Sequence, residues 1–209
     1  MHAGEPEKER ISDVINERAK AQGSGVVYQA EVAGGRLRPD GIKLEWVISA
    51  PRSEKPGDGE GKEDGDILPF FCGDITPRSL RVQTDPPSNT EHPARVQDLA
   101  YVKILVSSPA FERKVKQLIS VLGHQPISRE DSRAIWDLDT ALPSPDLVHR
   151  PQLVLEVANE SQREELTFLE DVGGESGIYE IAFFVENLEA GYPETARTPY
   201  GRIRFVPLQ

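Results

Sequence analysis

Arg36-Leu37-Arg38-Pro39-Asp40-Gly41, Leu44-Glu45-Trp46, Leu68-Pro69-Phe70-Phe71-Cys72-Gly73-Asp74-Ile75-Thr76-Pro77-Arg78 and His92-Pro93 decide how this chain is read. In order they give a turn signal, an aromatic strand, a loop, a Pro-started apolar strand and a second turn. Strands are expected at 42–50 and 67–72. The intervening 52–66, RSEKPGDGEGKEDGD, holds no hydrophobe, so it reads as a disordered acidic loop that cannot offset its ordering entropy. Toward the N-terminus, Ile11, Val14, Ile15 and Ala19 recur at helical spacing and predict a helix over 7–22, closed by Gly23. Val26-Val27-Tyr28-Gln29-Ala30 reads as a short strand, and Gly34-Gly35 as a turn.

The other side of the decisive stretch is more regular. Residues 84–97 read as a Pro- and Asn-bearing linker, and 98–107 as a strand. Ser108-Pro109 suits the start of a helix over 109–122, whose Phe111, Val115, Leu118, Ile119 and Leu122 share one face; Gly123 ends it. Strands are expected at 132–138, 151–158 and 177–186, a short helix from Asn159 to Glu170, and an edge strand in the tail after Tyr200. The fold class is therefore α+β. Residues 1–83 form an αβββ unit, 84–97 a linker and 98–209 a βαβββ unit, repeated in element order only.

Composition removes several function classes. The chain has 209 residues, 37% of them hydrophobic, and a net charge of −11. That balance disfavours nucleic acid and anionic membranes as partners, since phosphate binding needs clustered Lys and Arg. Cys72 is the single cysteine, so a reducing, cytoplasmic setting is expected, with Cys72 as a small buried hydrophobe. No apolar run reaches the roughly 20 residues of a membrane span. No G-x-S-x-G elbow, P-loop or G-x-G-x-x-G is present, and the glycines at 57–65 sit among acids that repel phosphate.

The stretches Arg36–Trp46, Leu68–Arg78 and His92–Val106 resemble glyoxalase-like proteins of the vicinal oxygen chelate superfamily. That resemblance implies βαβββ modules forming a cupped mixed sheet, the first module here incomplete. The strand expected before the first helix is absent, as is the N-terminal part of the family pattern. An open sheet edge follows, which a second copy could complete as a homodimer. The superfamily's metal ligands come from the first and last strands of each module. The first-strand position falls at Ala100–Tyr101, where there is no His, while Glu180 in Gly177-Ile178-Tyr179-Glu180 matches the last-strand Glu. The resemblance thus implies Glu180 as metal ligand or catalytic base, with His92 as a second candidate ligand for a divalent metal.

The remaining candidates come from the residues themselves. Arg36 and Arg38 with Asp40 could hold a carboxylate-bearing ligand bidentately, or form a structural clamp around the turn. Trp46, Phe70, Phe71 and Tyr101 are candidate cavity walls, with one Phe facing inward. Arg78 and Arg81 are candidate rim residues. His124 and His149 read as helix-end and loop histidines. Three functions stay open: a metal-dependent lyase, isomerase or dioxygenase; a non-catalytic module binding a small oxygenated metabolite in the cup; and a dimerisation module.

Overall fold

The computed structural model describes residues 9–52, 67–139, 150–186 and 193–208. Most of the expected acidic loop, and His149, lie outside them. The chain packs as two compact units. The first comprises Met1–Gly57, Leu68–Asn89 and Lys116–His124; the second is built mainly from Thr90–Val115 and Gln125–Gln209.

In the first unit, α1 spans Ile11–Gln22 and buries Ile15 and Ala19. Gly23, at φ 61°, closes it by donating its N–H to the carbonyls of Ala19 and Lys20, a left-handed cap that suits glycine. Glu31 secures the other end. Its carboxylate accepts the Ser12 N–H at 3.1 Å and the Ser12 hydroxyl at 2.8 Å. Burial pushes the Glu31 carboxyl up, but these bonds outweigh it and hold the group below its ordinary value. At the far end of α2 (Phe111–Leu122), the buried Ser120 hydroxyl meets Gln22 and Ser24, each at 2.8 Å.

Three antiparallel strands follow, β1 (Val32–Leu37), β2 (Lys43–Ser49) and β3 (Phe71–Asp74), in that spatial order. The expectation of a turn at Gly34-Gly35 is wrong, because both glycines lie inside β1. Gly34 pairs with Trp46, and a Cβ there would sit 2.6 Å from the indole nitrogen. A Cβ on Gly35 would sit 2.8 Å from the Leu44 carbonyl oxygen. Close approach, not turning, requires glycine at both positions. The strand expected at Val26–Ala30 reduces to a single bridge between Tyr28 and Pro51. The Asn16 side chain takes both the Tyr28 N–H (2.7 Å) and its carbonyl (3.0 Å), which removes them from any ladder. The strand expected at 67–72 is shifted onto β3, leaving Phe70 outside it and 64% exposed. Cys72, expected to be buried, is exposed, and Arg81 donates to its sulfur at 3.4 Å.

Among the described residues the second unit is built on one seven-stranded mixed sheet. Its strands are β4 (Val96–Val106), β5 (Ser128–Arg129), β6 (Arg133–Asp137), β7 (Gln152–Val157), β8 (Ser176–Val185), β9 (Thr195–Thr198) and β10 (Gly201–Pro207). The spatial order is β5-β6-β7-β4-β8-β10-β9. Central β4 runs parallel to β7 and antiparallel to β8. The segment expected to be the last strand of the βαβββ run, 177–186, thus flanks β4 on the side away from β7. The tail was expected to be an edge strand, but β10 pairs on both sides and β9 forms the edge. Between β7 and β8, α3 (Arg163–Asp171) packs Leu166, Phe168 and Leu169 against Leu105, Ala158 and Tyr179. Gly177 on β8 has no room for a side chain, since a Cβ would lie 2.9 Å from both Phe168 and Val172.

Candidate functional site

A polar row crosses five neighbouring strands of the large sheet. It begins on β6 with Arg133, whose strand register places it opposite Glu156 of β7. The Glu156 carboxylate forms ion pairs with Arg133 and with Lys103 of β4, both at 3.4 Å. Lys103 in turn lies opposite Glu180 of β8. Glu180 accepts the Tyr101 hydroxyl at 2.5 Å through one oxygen and forms an ion pair with Arg202 Nε of β10 at 3.2 Å through the other. The row exists because residues two apart on β4, Tyr101 and Lys103, project to the same side, and the ladders carry that side to both neighbours.

Glu180 is only 3% exposed. A carboxylate that deep persists because it carries both a counter-ion and a hydrogen bond. Arg202 is held in place from a second direction, donating to the Tyr179 hydroxyl at 3.1 Å with its guanidinium 5.3 Å from the Tyr179 ring centre. Burial, followed by the hydrogen bond to Glu180 and its negative charge, pushes the Tyr101 phenol up to about 12; Arg204 pulls the other way. Tyr101 is therefore a fixed hydrogen-bond donor at neutral pH.

That shift has a testable consequence. A phenol raised in the folded state contributes stability that is complete below its unfolded value near 10 and is lost as pH rises through about 12. Tyr179 is also raised, by burial, against the opposing pull of Arg202. In a tyrosinate absorbance titration, part of the signal from the five tyrosines should appear late. Tyr101→Phe should remove a share of that late component, and an unchanged titration would contradict the assignment.

The candidates named from sequence divide between the two units. Glu180 and Tyr101 meet directly. His92, in the second unit, is exposed, and its Nδ1 accepts the Ala94 N–H at 3.1 Å, a local turn contact. Among the described residues, no group of three or more His, Cys, Asp or Glu side chains is placed to hold a metal ion. With Glu180 already bonded to a tyrosine and an arginine, this donor set does not fit a divalent metal. The other candidates lie in the first unit. Arg38 forms the clamp, donating to Asp40 (2.6 Å) and to the Leu80 carbonyl (2.8 Å), while Asp40 also accepts the Ile42 N–H. Arg36 is exposed on β1, Trp46 is half-buried with Arg81 6.0 Å from its ring centre, and Phe71 meets Tyr28 at 5.7 Å between centroids. The sequence reading missed Lys103, Glu156, Arg133 and Arg202. Period-two alternation could have flagged Lys103 and Glu156 as same-face charges in apolar strands, whereas the pairing of Arg202 with Glu180 has no local signal.

The fold has a counterpart among solved structures. The chain is similar to a hypothetical protein from Staphylococcus aureus, with a TM-score of 0.56 and 13% identity over 93% of this chain. At that identity the likeness speaks for the fold alone, and the chain spans 61% of that protein's length. A looser likeness links it to methylmalonyl-CoA epimerase from Mycobacterium tuberculosis, with a TM-score of 0.35 and 19% identity over 56% of this chain and 91% of the epimerase. No family model and no curated protein matches the sequence. Among the described residues no helix is long and apolar enough to cross a membrane.

Proposed function

We propose that this is a glyoxalase-like domain protein that binds a small oxygenated acid on the polar face of its large sheet, as a binding module and not as a metal-dependent lyase or isomerase. The strand–helix–strand–strand–strand order of β4, α2, β5, β6 and β7 supports the modular part of this reading. The observation that carries the binding part is the row itself. Arg133, Lys103 and Arg202 face Glu156 and Glu180, an excess of positive charge on a sheet face in a chain of net charge −11. Tyr101 adds a phenol oxygen beside them, its proton committed to Glu180 and its oxygen able to accept from a ligand hydroxyl. Such a set can take a ligand carboxylate on its cations and a neighbouring ligand hydroxyl on the Tyr101 oxygen. Buried ion pairs are weak sources of net stability, and a strongly perturbed group beside a specific charge partner is a functional-site candidate.

The test is binding of a panel of 2-oxo and 2-hydroxy acids, followed by ligand-observed NMR and calorimetry. At least one should bind saturably, and Tyr101→Phe and Lys103→Gln should each weaken it about tenfold, the loss of one charge-assisted or fixed hydrogen bond. Absence of binding across the panel, or affinity indifferent to both substitutions, would sink the reading.

A further inference from the structure

A second positive site lies in the first unit, apart from the row on the large sheet. The segment after β1 and the segment Leu80–Gln83 enclose a hollow of about 290 Å³ lined by Arg36, Arg38, Arg81 and Gln83, with Pro39 and Leu80. Two of the three guanidinium groups are immobilised. Arg38 is fixed by Asp40 and the Leu80 carbonyl, and Gln83, with its carboxamide oriented to satisfy the network, accepts from it at 2.8 and 3.2 Å. Arg81 is fixed by Asp74 at 2.7 Å and by the Trp46 ring. Asp74 is shared, since Arg78 also reaches it at 3.2 Å. Four arginines are thus set against two carboxylates, and Arg36 has no side-chain partner among the described residues.

Like-charged groups crowd together at a cost that a bound anion relieves. Arginine forks match the geometry of carboxylate and phosphate oxygens, and fixed forks lose little freedom on binding. At about 290 Å³ the hollow is larger than a small dianion and open enough to admit one. We propose that it is an oxyanion site for a small carboxylate- or phosphate-bearing molecule, with Arg36 as the free clamp and Arg38 and Arg81 as the fixed floor.

Inorganic phosphate and succinate are the probes, titrated by calorimetry at constant ionic strength maintained with chloride. Saturable binding of either probe supports the site, and the preferred probe identifies the oxyanion. Arg36→Gln should weaken binding about tenfold or more, and Arg36→Lys should recover only part of it, because an ammonium cannot bind bidentately. Arg129→Gln, which removes the same charge from an exposed pair with Glu112, should leave affinity unchanged. Tyr101→Phe should also leave it unchanged, so this site and the row on the large sheet fail independently. Three results overturn the proposal: no saturable binding of either probe, Arg36→Gln binding like the parent, or Arg129→Gln losing as much as Arg36→Gln.

Discussion

Arg202→Met is expected to lower the stability of the folded chain by about 3–5 kcal/mol, the cost of leaving a buried charge without its partner. Glu180 is buried, and its second oxygen is engaged only by Arg202 among the described ion pairs. The Tyr101 hydroxyl would remain on the first oxygen but carries no compensating charge. The pairing is not itself a large net source of stability, because both ions were taken out of water to form it. The double substitution Arg202→Met with Glu180→Gln should therefore recover most of the loss, since an amide keeps the Tyr101 contact without a charge. Urea denaturation of the two single variants and the double variant completes the cycle. Equal stability of Arg202→Met and the parent would show that Glu180 is not an obligate ion-pair partner.

Trp136→Ala is expected to cost about 3–5 kcal/mol and Trp136→Phe about 1 kcal/mol. Trp136 is fully buried on β6, so truncation to Ala leaves a large cavity. Its indole N–H has no hydrogen-bond partner among the described residues. Phenylalanine deletes that unpaired donor along with part of the ring, so the desolvation it relieves offsets some of the lost packing. Denaturation midpoints read the contrast directly. Similar losses for both variants would mean that the N–H is satisfied in solution.

Helix α2 was legible because Phe111, Val115, Leu118, Ile119 and Leu122 repeat at helical spacing with a proline before them and a glycine after. β2, β4, β6, β7 and β8 were legible as apolar strands for the same local reason, to within a few residues at each end. Gly34-Gly35 was not, because glycine signals both a turn and a close approach, and only the Trp46 indole across the ladder distinguishes them. β9 has no alternating apolar pattern in Thr195-Ala196-Arg197-Thr198, and without it β10 looked like an edge. Of the site, Glu180 and Tyr101 were both named, as last-strand and first-strand positions of one module and as walls of one pocket. Their contact, and the role of Arg202, depend on ladder register between distant strands, which no window of sequence contains. The exposure of Cys72 was hidden in the same way, since Arg81 reaches it from beyond the end of the strand.

The placement of β10 between β8 and β9 has a consequence for when the polar row is completed. Tyr101 and Glu180 are 79 positions apart, and Arg202 arrives from a strand later still. Contacts of such long range close late, after loop entropy has been overcome. Until β10 pairs with β8, Glu180 lacks its counter-ion, so insertion of β10 and completion of the row are one event. The polar row is therefore complete only in a chain whose β10 has paired beside β8.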